Sequence, residues 1–351
     1  MDTSEQTAIV LFNLGGPDDL ASVEPFLTKL FSDREIIELP GGAALQPVMA
    51  RLLAKLRGPS VRRNYRRIGG GSPQLRITRA QAAALESRLN VSPGSRTYRV
   101  FIAMRYSQPS SADALTAIAG AGIRRIVTLT LFPHFSRATT GSSRNEFARA
   151  LASPKWRETR FHVTHIDHYA DDPDYLDAMA DTVRAAWERI ADERRRRAVI
   201  VFSAHGLPRK FIDEGDPYVF HIEATRAGIL ERMDVSNRQL LAYQSRTGPV
   251  RWLGPGTEET LAQLGHEGVT DVLIVPLSFV SDHIETLYEV DLLFAESARA
   301  AGITGYSRPK ALNTHPMFIE ALAGLVTAHL GASHDGGSLE RRTPALAAEV
   351  A

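Results

Sequence analysis

The sequence predicts an α/β protein whose parallel strands alternate with helices. Short apolar runs of strand length lie at Ala8–Phe12, Ile126–Phe132, Val199–Phe202 and Val272–Leu277. Segments with apolar residues every three to four positions separate them. One half of the chain also echoes the other. Continuous apolar runs are what strands covered on both faces require, and strand–helix alternation is the mark of a parallel sheet.

The elements follow in order. The Ala8–Phe12 run opens the chain's core. Asp33 to Ser72, rich in Gly, Pro and Arg, holds no clean strand. Helical spacing then covers Ile77–Leu89, and Arg99–Met104 is a weaker strand. Asp113–Ala119 has helical spacing before the strand run at Ile126. Asn145–Leu151 is helical, Phe161–Ile166 a weaker strand, and Asp174–Ile190 a long helix. After Val199–Phe202 come helical Phe220–Arg232, the weaker strand Leu240–Tyr243 and helical Glu258–Gln263. The run at Val272 precedes two more helical stretches, Ile284–Ala298 and Pro316–Leu330.

The echo has a register. Ala8-Ile-Val-Leu-Phe-Asn-Leu-Gly-Gly-Pro parallels Val199-Ile-Val-Phe-Ser-Ala-His-Gly-Leu-Pro, and Gly122-Ile-Arg-Arg-Ile-Val parallels Gly268-Val-Thr-Asp-Val-Leu. From Phe12 to Gly122 is 110 residues, but from Phe202 to Gly268 only 66, so the first half carries an insertion. The expectation is two Rossmann-like lobes, with helices on both faces of each sheet and a cleft between. The first spans 1–170 with its insertion at about 33–72, and the second spans 171–310. A C-terminal helix follows at 311–330, then a mobile tail at 331–351. A single continuous sheet is the alternative. In either case ligands belong beyond the carboxyl ends of the strands.

Composition removes several functions. Among 351 residues, 41 Lys and Arg oppose 40 Asp and Glu, a net charge of +1, which gives no footing for nucleic acid. There is no cysteine, hence no disulfide, thiolate metal site, cysteine nucleophile or cysteine-held iron–sulfur cluster. The polar, acidic start lacks the basic and long apolar regions of a signal peptide. No stretch reaches the ~20 apolar residues of a membrane helix. A soluble cytoplasmic protein is expected, with peripheral membrane contact left open.

Four segments carry chemistry. Ser203-Ala-His205-Gly-Leu-Pro follows a buried strand directly, placing a histidine where α/β sites gather. It can take up a proton near neutral pH or ligate a metal. The bland alternative is a turn-capping histidine. Ser281-Asp282-His283-Ile-Glu285-Thr-Leu-Tyr-Glu289 follows another strand. Asp282 and Glu285 have capping-box spacing, yet Glu285 and Glu289 stack like charges one turn apart, which costs a few tenths of a kcal/mol. Packed oxygen and imidazole groups suit a divalent metal or a proton relay, and a π-bulge would aim several of them into one cleft. Tyr65-Arg-Arg-Ile-Gly-Gly-Gly-Ser72-Pro lacks the Lys-Ser/Thr of a phosphate loop and fits a close turn beneath a flat ligand. Gln244-Ser to Trp252-Leu-Gly-Pro puts a tryptophan on a loop, as a plug or as a wall for a planar ligand. Two features look incidental. His162, His165 and His168, spaced by three, point to different faces of a strand. Arg194 to Arg197 form a solvated helix end.

With Leu11-Phe-Asn13-Leu14-Gly-Gly-Pro and Ala103-Met-Arg105-Tyr106, these segments resemble ferrochelatase, the last enzyme of haem synthesis. Six motifs occur in the family's order from Ile9 to about Leu330. The resemblance implies a class II chelatase-like fold and a lyase that inserts Fe²⁺ into protoporphyrin IX. It implies His205 as the catalytic group, taking pyrrole protons or meeting the metal. Glu285 would face it across the cleft, with Asp282, His283 and Glu289 extending an acidic path. It implies Asn13, Leu14, Arg57, Tyr65, Ser72, Arg105, Tyr106 and Trp252 as porphyrin-pocket positions. The insertion would be an apolar lip touching the membrane, using Leu45, Val48, Met49, Leu52 and Leu53; a helix packed on the first lobe is the alternative. Iron is substrate, no cofactor is permanently bound, and the iron–sulfur cluster of some relatives is excluded. Ser107-Gln-Pro departs from some relatives, leaving that wall of the pocket open.

The chemistry suits these residue types. Insertion requires bending the ring, stripping water from the metal and removing two N–H protons. Imidazole and carboxylate hold Fe²⁺ weakly enough to release it. Rival expectations are a coproporphyrin III ferrochelatase, a chelatase loading cobalt into a sirohydrochlorin-like ring, and a porphyrin carrier without catalysis. A nucleotide-binding oxidoreductase lacks its Gly-x-Gly-x-x-Gly after a strand.

Overall fold

The computed structural model describes residues 6–91, 97–246, 248 and 250–332. The first lobe runs β1 (Gln6–Asn13), α1 (Val23–Ser32), α2 (Gly42–Arg67), α3 (Gln74–Leu89), β2 (Thr97–Met104), α4 (Ser111–Gly120), β3 (Arg125–Thr130), α5 (Ser142–Leu151) and β4 (His162–Ile166). The second runs α6 (Pro173–Glu188), the single turn α7 (Asp192–Arg195), β5 (Val199–His205), α8 (Arg209–Asp213), α9 (Tyr218–Glu231), β6 (Gln239–Gln244), α10 (Thr257–His266) and β7 (Asp271–Pro276). It continues with a π-helix (Glu285–Phe294), α11 (Ala295–Ala300), β8 (Gly305–Ser307) and α12 (Pro316–Ala332).

Among the described residues the strands form two separate four-stranded parallel sheets, in the orders β2-β1-β3-β4 and β6-β5-β7-β8. The single-sheet alternative is therefore ruled out. The sheets repeat one topology, and the echoing segments supply corresponding strands: β1 and β5 at the centre, β3 and β7 beside them. Period-two alternation divides each sheet's side chains. Ile9, Leu11, Val127 and Leu129 join Ile200, Phe202, Leu273 and Val275 in one core shared by both lobes. Ala8, Val10, Phe12 and Ile126 pack beneath α4 and α5, while Val199, Val201, Val272 and Ile274 form the outer core of the second lobe. Truncating a fully buried member such as Phe202 to Ala would cost on the order of 3–5 kcal/mol.

Helix starts are locally encoded. Asp172 accepts from the Tyr175 amide at 3.0 Å while Pro173 takes the first helical position of α6. Ser110 and Asp113 form a capping box on α4. Hydrogen bonds also join the lobes. Gln81 Nε2 donates to Ser281 Oγ at 3.0 Å and to the Asn313 carbonyl at 2.8 Å, and the Phe135 amide donates to His221 Nδ1 at 3.0 Å.

The insertion holds a 26-residue helix, α2, despite Pro47 and Pro59 inside it. Its inward face is built from Gln46, Ala50, Ala54, Gly58 and Tyr65. Gln46 fastens the first turn, donating to the carbonyls of Phe31 and Ile37 and accepting from the Leu39 amide. The large apolar side chains point out: Leu45 is 51% exposed, Val48 59%, Leu52 50% and Leu56 67%. The helix thus packs on the first lobe through small residues and presents an apolar face outward. No helix of the described residues is long and apolar enough to cross a membrane. The tail expected from 331 begins with Gly331 and Ala332, which finish α12; 333–351 lie outside the described residues.

Candidate active site

His205 is the last residue of β5, and Glu285 is the first of the π-helix that follows β7. Because β5 and β7 are adjacent, both side chains emerge on one wall of the cleft. Glu285 does not face His205 across the cleft as expected; its Oε2 lies 2.8 Å from His205 Nδ1. Nor does it form a capping box, since the Asp282 amide donates instead to Asn313 Oδ1 at 2.9 Å. The anticipated local bulge is a ten-residue π-helix, a geometry that recurs at functional sites.

The electrostatics make a directed chain. Burial pushes the Glu285 carboxyl up, but the charge and hydrogen bond of His205 outweigh it and hold the group at about 2. Burial pushes His205 down, and Glu285 with Glu289 raises it above the ordinary histidine value. Glu289 is pushed up to about 8 by burial and by the neighbouring Glu285 charge. Ser245, held at a left-handed φ of 64°, puts its hydroxyl 3.0 Å from Oε2 of Glu285 and 2.6 Å from Oε2 of Glu289. One hydroxyl has one proton to give. Ser245 thus bridges the two carboxyl groups, and His205 Nδ1 meets the ionised Glu285. That leaves Nε2 as the basic atom of the His205 ring. Gln244 supports both carboxylates through Nε2, because its Oε1 accepts from Ser203 at 2.9 Å.

His283 is buried, and burial pushes its imidazole below the usual value. Its Nδ1 sits 3.1 Å from the Ser281 carbonyl, which can only accept, so Nδ1 carries the proton. The bare Nε2 has no hydrogen-bond partner and lies 4.0 Å from Glu285 Oε1. Two acceptor atoms face each other there, too far apart for a hydrogen bond. Phe279 packs against both rings, with centroids 4.1 Å from His283 and 5.9 Å from His205. Asp282 does not continue this chain. Arg308 holds its Oδ1 at 3.1 Å and Asn313 its Oδ2 at 2.9 Å, and Arg308 also binds Asp291. Nothing in the sequence singled out Arg308. Among the described residues no three His, Asp or Glu side chains converge as a ready-made metal site.

The pair opens onto a cavity of about 1190 Å³ between the lobes, larger than the roughly 300–1,000 Å³ typical of small-molecule sites. Leu14, Phe31, Ile36, Phe211, Trp252 and Phe279 supply apolar wall, and His205 and Glu285 the polar spot. Of the eight expected pocket positions, Leu14 and Trp252 line this cavity. The others are engaged elsewhere. Asn13 is buried, accepting from Gln74 Nε2 at 2.9 Å and donating to Thr78 at 3.0 Å. Arg105 and Tyr106 both bind the Asp33 carboxylate, at 2.7 and 2.6 Å, and that carboxyl is held below its usual range against the effect of burial. Tyr65 is buried near enough to Glu285 for that charge, after burial, to raise its phenol. Arg57 is exposed on α2, and Ser72 borders a separate small hollow with Arg76 and Arg79. Of the three glycines before Ser72, Gly69 and Gly70 turn the chain at positive φ, and Gly71 serves packing: a Cβ there would stand 2.1 Å from the Asp18 carbonyl.

The incidental histidines separate. His165 bonds Thr128 at 2.7 Å, whereas His168 stacks on His221. The arginine run is mostly exposed, as a solvated helix end should be, and Arg194 and Arg197 also pair with the buried Asp271.

Comparison with known proteins identifies the family. The family model for ferrochelatase matches residues 6–330. Ferrochelatase of Geotalea daltonii is 50% identical over 323 residues, covering 92% of this chain and 98% of its own. That of Geobacter metallireducens is 50% identical over 324 residues, at 92% and 98% coverage. That of Synechocystis sp. is 46% identical over 323 residues, at 92% and 82%. Among solved structures, SirB from Bacillus subtilis with Fe³⁺ superimposes with a TM-score of 0.57 at 11% identity, over 94% of this chain and 98% of that one. The sirohydrochlorin chelatase SirB from Bacillus subtilis subspecies spizizenii in complex with cobalt gives 0.52 at 12% identity, over 94% and 97%. At such identity these structures speak for the two-lobed fold. The sequence matches go further: the chain belongs to the ferrochelatase family, enzymes that insert iron into a porphyrin to make haem.

Proposed function

We propose that this enzyme inserts Fe²⁺ into protoporphyrin IX, with His205 as the base that removes the pyrrole protons. The observation that carries the reading is the 2.8 Å contact between His205 Nδ1 and Glu285 at the wall of a large apolar cavity. With Nδ1 donating to an ionised carboxylate, Nε2 is the proton acceptor, and the carboxylate stabilises the imidazolium that forms. Once Glu289 has given up its own proton, the row Glu285, Ser245 and Glu289 is the route along which protons leave. The gap between His283 Nε2 and Glu285 Oε1 is where a substrate cation meets two weak ligands before transfer. Asp282, neutralised by Arg308, lies outside this path. The cavity's apolar wall grips the ring's periphery, and that binding energy is spent on bending the macrocycle. No resident cofactor is needed, since the metal is itself substrate.

The rim favours two carboxylates over four. Arg34, Arg137, Arg209 and Lys210 line the cavity but are already paired with Glu38, Glu214, Asp213 and Glu38 respectively. Arg251, next to Trp252, has no ion pair among the described residues and is the cation left for a propionate. Coproporphyrin III, with four propionates, would bury charge against the apolar wall, which is costly without partners. The exposed apolar face of α2 gives the protein a peripheral contact with the membrane surface of the cytoplasm, where a greasy substrate resides. Its seven Lys and Arg side chains, opposed by no acid within the helix, suit an anionic surface.

The test is anaerobic turnover with Fe²⁺ and either protoporphyrin IX or coproporphyrin III, followed by absorbance. Faster insertion into protoporphyrin is expected. Preference for coproporphyrin would overturn the substrate and keep the site; binding without insertion of either would overturn the mechanism.

A further inference from the structure

His205 stands where its sheet runs out. Backbone bonds on β5 alternate between neighbours: the Ser203 carbonyl accepts from Leu277, on the β7 side, and the Gly206 amide donates to Gln244, on the β6 side. The groups of His205 therefore face β7. Pairing with β7 ends at Ser203 opposite Pro276, so the next place on that edge has no strand to fill it.

Two side chains fill it instead. The His205 amide donates to Ser278 Oγ at 2.8 Å, and the Tyr218 hydroxyl donates to the His205 carbonyl at 2.9 Å. Ser278 and Tyr218 oxygens lie 2.6 Å apart. Counting protons fixes the direction of that last contact. The phenol's one proton goes to the carbonyl, so the serine proton goes to the phenol oxygen, and the serine oxygen accepts from the amide. The result is a closed ring of three hydrogen bonds around the backbone of one residue. Both side chains are buried.

The ring is tied to the other lobe. The Tyr218 amide donates to Asp216 Oδ1 at 3.0 Å, and Asp216 Oδ2 accepts from Ser136 Oγ at 2.9 Å and the Arg137 amide at 2.8 Å. His134, also from the first lobe, meets the Tyr218 ring edge-on at 6.0 Å.

We propose that Tyr218 and Ser278 are positioning residues for the insertion reaction: by holding both backbone groups of His205, they set where its imidazole stands relative to Glu285 and the ring. The proposal rests on the role given to His205 above. A displacement of about 1 Å at a reacting group can cost on the order of 100-fold in rate, and among the described residues no other hydrogen bond on the β7 side holds this backbone.

The test compares Y218F, S278A, S278T, the Y218F/S278A double variant and H205A in anaerobic Fe²⁺ insertion, with porphyrin affinity measured by fluorescence. Y218F and S278A should each lower kcat about 10- to 100-fold and leave KM for porphyrin within about twofold. Either change opens the same ring, so the double variant should be no worse than the poorer single. S278T keeps the hydroxyl and should recover most of the loss. Y218F is nearly isosteric and carries the test even where S278T fails to fold. Wild-type kcat in Y218F, or losses in the two singles that multiply in the double variant, would overturn the proposal. If H205A keeps near-normal turnover, it is the role of His205 that fails. If H205A is inactive while Y218F matches wild type, the positioning ring alone fails.

Discussion

Glu285 and Glu289 are bridged by a single hydroxyl, that of Ser245, and yet they titrate on opposite sides of neutrality. Glu289 is raised to about 8 from an ordinary carboxyl value of 4.5. A raised carboxyl favours the folded state at low pH. Its contribution is complete below about 4.5 and is lost as pH climbs through 8. Glu285 runs the other way: held at about 2, it stabilises above 4.5 and loses that effect as pH falls toward 2. E289Q should therefore melt at the wild-type temperature near pH 5 and a few degrees above it near pH 8.5. A melting-temperature difference that is flat with pH would refute the shared-proton arrangement.

Removing the imidazole should stop the reaction without emptying the cavity. H205A is expected to lower kcat by about 10²- to 10⁴-fold, the usual weight of a general base. Porphyrin affinity, read by quenching of tryptophan fluorescence, should change little, because the apolar wall is intact. Near-normal turnover would sink the assignment.

Glu285 can be tested against a purely architectural role. Its carboxylate binds side chains of the site and no helix-start amide, so E285Q should cut turnover about 100-fold or more and shift the melting temperature by less than about 3 °C. A melting-temperature loss with full activity would return Glu285 to scaffolding.

Arg251 should matter only to the acid form of the substrate. R251A is expected to raise KM for protoporphyrin about tenfold, the weight of one charge-assisted contact, and to leave kcat alone. With the dimethyl ester, wild type and R251A should be indistinguishable. An equal KM rise for the ester would mean that Arg251 contributes packing rather than charge.

The outward face of α2 can be made polar at little structural cost. L45Q/V48Q/L52Q/L56Q changes only side chains that are half or more exposed. Co-sedimentation with vesicles containing anionic lipid should fall several-fold, while activity on detergent-dispersed porphyrin persists. Unchanged sedimentation would remove the membrane contact.

The central strands, the repeat and the location of His205 were legible because each is written in local pattern: uniform apolar runs, a matching register and a loop directly after a strand. The helix α2 was not, because its inward face is Ala50, Ala54 and Gly58, while its large apolar residues point away from the core. Hydrophobic spacing located a helical stretch there but could not tell which side the protein covers. β8 is three residues, Gly-Tyr-Ser, too short and polar to register. The direct pairing of His205 with Glu285 depends on β5 and β7 being neighbours, and Ser245 and Arg308 act through contacts 40 and 26 residues away in sequence. Such relations are decided by sheet order, which no window of sequence contains.

The duplicated strands give this cavity a handedness. In the register of the repeat, the counterpart of His205 is Leu14: each follows the apolar core of a central strand, and each lines the same space. One copy of an ancestral-looking turn offers an imidazole and the other a hydrocarbon. A flat molecule lying between them would meet an imidazole on one side and a hydrocarbon on the other. The scaffold is symmetric and its two tips are not.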